Sequence, residues 1–231
     1  MAAAESSVQD VIRHLRRIDD ELPPDDGAAV FNRMYLTVTE TVAAGLAGRT
    51  VFADPAFMEH LDVTFASLWI EAYDADGHDV PKAWAAHFER RRDRAVLPVQ
   101  FALAGMNSHI GHDLAVAVVE TCRARGTSPS RPGIRDDYEA VNQLLAASES
   151  QVRRSFLTAA GQELDDHVGP VVHLVNSWKI DKARDVAWVN VEAMWAIRRS
   201  GRLAARYRAA LARTVGMGSR LLLTPQLVRP T

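Results

Sequence analysis

The chain has 231 residues, of which 48% are hydrophobic and 24% charged, with a formal net charge of -2 at pH 7. These values are typical of a globular protein with its own core, and they exclude the strongly basic character of many nucleic-acid-binding proteins. The single cysteine, Cys122, excludes an intramolecular disulfide, and no secretory-signal pattern opens the sequence. We therefore expect a soluble cytoplasmic protein that binds neither nucleic acid nor membrane.

Four helices are predicted in the first part of the chain. Apolar residues at helical spacing indicate helices over residues 5–21, 28–47, 55–73 and 81–94. The turn sequences LPPDDG (22–27) and DADGH (74–78) separate some of them. Asp54 followed by Pro55 is typical of a helix start, because Asp accepts a backbone N–H and Pro needs no partner there.

The fifth predicted helix, over about 96–125, is the most informative stretch. Between Ala95 and Val119 the only formally charged side chain is Asp113, so we expect this helix to lie in the middle of a bundle. At about 100° per residue, His109, His112 and Asp113 share one helix face. Polar groups destabilise a core unless they are paired, and they also argue against a membrane span.

The rest of the chain is also predicted to be helical. Gly126 ends the central helix, and TSPSRPGI (127–134) is a loop. Further helices are predicted from Asp136 to about residue 160, near 162–175, over about 180–199 and over 202–215, followed by an irregular tail at 218–231. The apolar tail favours a homodimer. With no strand signal, we predict one all-α domain over 1–231, a bundle of about eight helices around the central one.

The segment LAGMNSHIGHDLAVAV, at 103–118, resembles the signature AGMN-x-HI-x-HDL of an uncharacterised bacterial family, a domain of unknown function common in actinobacteria. The segments FNRMYLTVTETV, FMEHLDVTFA and DKARDVAWVN also look like that family, so the resemblance covers most of the chain. It implies an all-helical fold and a shared motif at Asn107, His109, His112 and Asp113. It implies no particular activity.

The H-x-x-H-D motif offers His109, His112 and Asp113 as metal ligands. Two imidazoles and a carboxylate suit iron or zinc, with Asp113 either binding the metal or orienting a histidine. The leading hypothesis is a metal-dependent enzyme acting on a small apolar or aromatic substrate, by hydrolysis or lyase chemistry with zinc and by oxidation with iron. Three alternatives stay open: a metal-free cyclase or isomerase with a histidine as general base, a non-catalytic small-molecule-binding protein, and a purely structural polar network.

Other residues are predicted to complete a pocket against the central helix. Arg184 is the expected partner of Asp113, with a functional role at the site, because it lies in an apolar helix. Asp62 is an additional base or ligand, and His173 an additional ligand from a facing helix. The predicted pocket residues are Tyr35, Asp62, Met106, Asn107, His173 and Trp188.

Two further features are predicted to have no catalytic role. Cys122 lies beside two arginines, but no partner histidine is evident, so a nucleophilic thiol is not expected. The acidic group Asp136, Asp137 and Glu139 lies at a predicted helix start, where carboxylates are favoured by the helix dipole. No second acidic group accompanies it to bind a metal diphosphate.

Overall fold

Every regular element in the described part of the chain is a helix, which confirms the all-α prediction. The computed structural model describes residues 6–48, 50–75, 79–147 and 179–225. Its elements are α1 (Val8–Glu21), α2 (Gly27–Gly48), α3 (Pro55–Asp74), α4 (Ala85–Arg90), α5 (Pro98–Ser108), a π-helical turn (His109–Asp113), α6 (Leu114–Ala124), α7 (Ile134–Ala147), α8 (Ile180–Ile197) and α9 (Gly201–Leu222).

Local sequence explains how two of the helices, α1 and α3, begin. The Ser7 side chain accepts a hydrogen bond from the Asp10 backbone N–H at the start of α1. The Asp54 side chain does the same for Phe57, directly before Pro55 opens α3, as the sequence predicts. Each cap satisfies a backbone donor that has no partner within the helix.

The central helix, formed by α5, the π-helical turn and α6, runs continuously through the middle of the fold. Its first half packs against α2 and α9, and its second half against α3 and α8. One apolar cluster surrounds α5 and a second surrounds α6, so the π-helical turn lies where the two clusters meet. The predicted buried position of this helix is confirmed, and its polar side chains lie between two apolar regions.

Glycines allow two close approaches in the bundle. A Cβ at Gly105 would overlap the ring of Phe31, so glycine lets that ring lie directly on the central helix. A Cβ at Gly216 would overlap the backbone carbonyl of Lys82, so glycine also lets α9 touch the segment before α4.

Two predicted boundaries are wrong. The helix expected over 81–94 is reduced to α4, because residues 82–84 form a turn in which the Ala83 carbonyl accepts a hydrogen bond from Ser108. The tail expected from residue 218 is helical as far as Leu222. The Gln100 side chain donates hydrogen bonds to the carbonyls of Leu222 and Thr224 and so terminates α9 from another helix.

Two leucines of the predicted tail differ in exposure. Leu223 is buried in the cluster around α5, whereas Leu221 is exposed. The homodimer stays a prediction. The helix near 162–175 lies outside the described residues, as does His173. Among the described residues, no helix is long and apolar enough to cross a membrane.

Candidate functional site

The candidate site is centred on the π-helical turn. The Leu114 backbone N–H bonds to the carbonyl of His109, five residues earlier, instead of four as in an α-helix. The side chains of His109, His112 and Asp113 are all buried in this widened turn. Such turns are rare and are frequently found at functional sites.

Asp113 is the centre of a hydrogen-bonded network. Its Oδ1 lies 2.7 Å from Nδ1 of His112, and its Oδ2 lies 3.1 Å from Nδ1 of His109. Oδ2 also accepts a hydrogen bond from the Trp84 indole N–H at 2.8 Å. Because an ionised carboxylate can only accept, the network assigns a proton to Nδ1 of each imidazole.

The pKa values support this assignment of protons. Burial raises the pKa of Asp113, but the hydrogen bonds from His109 and His112 outweigh that effect and lower it overall. Burial lowers the pKa of His109, although Asp113 opposes the shift. Near neutral pH the pair is therefore an Asp113 carboxylate and a neutral His109 imidazole. Nε2 of His109 then carries a lone pair and is a base.

Aromatic rings surround the His109 imidazole. Phe65 stacks on it with 3.6 Å between ring centroids and an interplanar angle of 10°. Tyr35 and Phe31 meet it edge-on, at 4.5 and 5.7 Å between centroids. This enclosure fixes the orientation of the imidazole together with Asp113.

A cavity of about 80 Å³ lies beside His109, between the central helix and residues of α2, α3, α7 and α8. Its wall is mainly apolar, with Val38, Val42, Met58 and Leu61 among the residues that form it. An apolar cavity of about 150 Å³ is large enough for benzene, and sites for drug-sized ligands exceed about 300 Å³. The cavity as it stands therefore fits a ligand of only a few non-hydrogen atoms.

Four polar atoms of the cavity-lining residues are buried without a hydrogen-bond partner among the described residues. They are Nε2 of His109, the hydroxyl of Tyr35, Oδ2 of Asp62 and Nε of Arg184. Buried polar atoms are normally paired, so four unpaired atoms around one cavity need an explanation. A ligand with polar atoms of its own supplies one.

Burial changes the acidity of two of these groups. It raises the pKa of Asp62 to about 7, with a further contribution from the Glu59 carboxylate. Burial also raises the pKa of Tyr35 well above its ordinary value, with Asp62 adding to the effect. Near neutral pH Asp62 is therefore present both as an acid and as a carboxylate, whereas Tyr35 remains a hydroxyl.

The structure brings some of the predicted pocket residues together and separates others. Tyr35, Asp62, Met106 and Arg184 join His109 on the cavity wall. Two predicted residues are not on that wall. Asn107 instead donates hydrogen bonds to α9, and Trp188 packs on Tyr138 and donates a hydrogen bond to Glu192.

The predicted ion pair between Asp113 and Arg184 is wrong. Arg184 donates a hydrogen bond of 2.5 Å to the Tyr138 carbonyl, and its guanidinium lies 4.2 Å from the centre of the Tyr138 ring. The partner of Asp113 that sequence reasoning missed is Trp84. A fully buried tryptophan needs an acceptor for its indole N–H, but the sequence does not show which acceptor is near.

The geometry also bears on the predicted metal ligands. Both oxygens of Asp113 accept hydrogen bonds from N–H groups, two of them from the histidines, whereas its role toward a metal stays a prediction. His112 also has an unpaired Nε2, although His112 is not among the cavity-lining residues. In the described ranges, no three His, Cys, Asp or Glu side chains are grouped as metal ligands.

Comparison with known proteins identifies one family. The sequence model of a family of unknown function (DUF5995) matches residues 8–225. No curated protein matches the chain, and no solved structure matches it. The match confirms the expected membership of an uncharacterised family, while the expected actinobacterial origin stays a prediction.

Proposed function

The chain belongs to the DUF5995 family, whose function is unknown, and we propose from its own side chains that it is a metal-free enzyme. In this proposal it transfers protons on a small, largely apolar substrate, with His109 as the general base. Isomerisation and cyclisation are the reaction types that such a base serves without a further reactant.

One observation carries the proposal. His109 lines the cavity and has a buried, unpaired Nε2, while its Nδ1 is held by Asp113. A carboxylate behind one imidazole nitrogen fixes the tautomer and stabilises the imidazolium that forms when the other nitrogen takes a proton. Asp113 is held in turn by Trp84, so its position does not depend on the substrate.

The proton transfer is balanced within the site. Nε2 of His109 removes a proton from a carbon next to an unsaturated bond, the C–H electron pair forms a new double bond to the neighbouring atom, and the π pair of the original bond moves to its far atom. The neutral form of Asp62, which lies on the same wall, returns a proton at a second atom of the substrate. The imidazolium and the Asp62 carboxylate then exchange a proton, directly or through solvent, so no co-reactant is consumed.

Deuterium incorporation from D₂O into a panel of small ketones and enones, followed by proton NMR, tests the base. We expect wild-type protein to accelerate exchange at one or more carbons. His109→Gln should slow this exchange about 10²–10⁴-fold, the usual contribution of a general base. His60→Gln is the matched control, because His60 lies on α3 away from the cavity.

Two outcomes of this experiment contradict the proposal. Equal exchange by wild type and His109→Gln would remove His109 from the chemistry. A wild-type protein that binds members of the panel without exchanging any proton would instead support the non-catalytic binding protein.

A second candidate, metal-dependent chemistry with iron or zinc, is favoured by a specific feature. Asp113 bonds to Nδ1 of both His109 and His112, and each Nε2 is left unpaired, as in histidines that bind metals. Elemental analysis after anaerobic reconstitution tests this candidate. Near-stoichiometric metal that is lost in both His109→Ala and His112→Ala would support it over the metal-free proposal.

A further inference from the structure

Arg184 is a buried cation without a carboxylate partner in the described part of the chain. The residue is only 6% exposed and lines the cavity. One hydrogen bond goes to the Tyr138 carbonyl, the Tyr138 ring lies against the guanidinium, and Nε has no acceptor. These contacts hold the guanidinium in place, and no anionic group among the described residues neutralises its charge.

Two acidic residues could be the partner of Arg184, one next to it in sequence and one in the cavity, but neither pairs with it. Asp185 follows Arg184 directly, but it is exposed and its carboxylate is 3.1 Å from Nζ of Lys182. Asp62 shares the cavity, yet its Oδ2 is itself unpaired. Burial lowers the pKa of Arg184, and the opposing effects of Tyr138 and Asp185 do not cancel this. A buried charge without a partner destabilises the fold, so a retained one indicates a ligand of opposite charge.

We propose that Arg184 binds the carboxylate of a small monocarboxylic acid, whose hydrocarbon part lies against the apolar cavity wall. This inference rests on the proposed function for the location of the site, and it names the class of substrate. The carboxylate at Arg184 and the alkyl group in the cavity then position the molecule for His109. Recognition of the anion requires no catalytic step.

The composition of the wall favours a carboxylate over a phosphate. A guanidinium presents its N–H groups in a planar fork that matches the two oxygens of a carboxylate. A phosphate has further charged oxygens, and most residues of the wall, among them Val38, Val42 and Leu61, have no donor to offer them. The cavity of about 80 Å³ also limits the acid to a short chain.

Propionate and propionamide are the probes that test this inference, because they share size and shape and differ in charge. Binding is measured by titration of ¹⁵N-labelled full-length protein, followed at the Arg184 Nε–H resonance. We expect propionate to shift this resonance and to bind at least tenfold more tightly than propionamide. Inorganic phosphate should bind at least tenfold more weakly than propionate.

Variants separate this inference from the general-base proposal. Arg184→Gln should weaken propionate binding at least tenfold. The matched control is Arg198→Gln at the C-terminal end of the same helix, because Arg198 also lies over an aromatic ring and donates to a backbone carbonyl. His109→Gln removes the base and leaves the guanidinium, so it should still bind propionate at least tenfold more tightly than propionamide. Circular dichroism and melting temperature check that each variant is folded.

Equal binding of propionate and propionamide, or phosphate bound as tightly as propionate, would overturn the assignment. An Arg184 resonance that propionate leaves unmoved would overturn it as well, and this readout needs no variant. Propionate binding at Arg184 with no proton exchange on any substrate would leave the inference standing while the proposed function fails. Proton exchange on neutral ketones without carboxylate binding would give the reverse result.

Discussion

The protonation of Asp62, on the cavity wall, makes the free energy of unfolding depend on pH. Oδ2 is buried and unpaired, and the pKa of the carboxyl is raised from 3.8 to about 7. Between those two values the folded chain retains a proton at Asp62 that the unfolded chain has lost. The folded state then binds more protons than the unfolded state, so the Asp62 contribution to the free energy of unfolding falls as pH rises from about 4 to 7.

Asp62→Asn should reduce this pH dependence, because asparagine has nearly the same shape and does not ionise. Between pH 5 and pH 8, the free energy of unfolding of Asp62→Asn should fall by about 2–3 kcal/mol less than that of wild type. Urea unfolding at the two pH values measures the change. Asp181→Asn, which removes an exposed carboxylate from α8, is the control. An unchanged difference in Asp62→Asn would contradict the raised pKa.

Among the helices, α9 is held to the central helix by a polar seam as well as by apolar packing. Asn107 donates hydrogen bonds to the Val215 carbonyl and the Ser219 hydroxyl. Ser219 also lies 2.9 Å from the hydroxyl of Ser108 and donates to the Ala104 carbonyl. These directional bonds fix the register of α9, which in turn allows Gly216 to meet the backbone before α4.

Gly216→Ala should destabilise the protein, although alanine is the better helix former. Its methyl group would overlap the Lys82 carbonyl oxygen, and the hydrogen-bonded seam prevents α9 from moving aside. We expect the free energy of unfolding to fall by about 1–3 kcal/mol. Gly201→Ala is the control, because no atom lies near its added Cβ, and it should be neutral or stabilising by up to about 1 kcal/mol. Denaturant unfolding of both variants decides the matter.

The sequence predicts the boundary of a helix correctly where neighbouring residues determine it, and less well where distant contacts do. Asp54 and Pro55 define the start of α3 within a few residues of chain, and the prediction is confirmed. The irregular tail predicted from residue 218 is wrong as far as Leu222, because contacts with distant segments, such as the hydrogen bond from Gln100 to the Leu222 carbonyl, stabilise the helix there. The π-helical turn was not predicted, since helical periodicity assumes one constant rotation per residue.

The candidate site shows the same limit. Tyr35, Asp62 and Arg184 could be selected from their places on apolar helices, and the structure puts all three on one wall. Their partners could not be selected, because the contact between Trp84 and Asp113 spans 29 residues and the one between Tyr138 and Arg184 spans 46. Periodicity assigns a residue to a helix face, and only packing determines what that face meets.

At the scale of the whole molecule, one continuous helix passes through both apolar clusters. Cys122 is buried in the cluster around α6, where burial raises the pKa of its thiol to about 11. A thiol that is both protonated and enclosed does not react with disulfide reagents in the folded protein. Because the central helix joins the two clusters, we expect both clusters to unfold in a single transition.

The Cys122 thiol should therefore report global unfolding. At pH 8 we expect no reaction of native protein with Ellman's reagent over an hour, and one thiol per chain in denaturant. The urea concentration that exposes the thiol should coincide with the midpoint of the far-ultraviolet circular dichroism transition. Thiol exposure well before that midpoint would mean that the cluster around α6 opens by itself.

The π-helical turn has a consequence for how chains of this kind can vary in length. It is what one residue inserted into an α-helix leaves behind. Because the widened turn already absorbs the rotation of that extra residue, deleting one residue between His109 and Asp113 would restore a regular helix and leave α5 and α6 packed much as they are. It would also bring His109 and Asp113 from four residues apart to three and change how the carboxylate meets the imidazole. A change of one residue in length can thus alter the site while the packing of the bundle is kept.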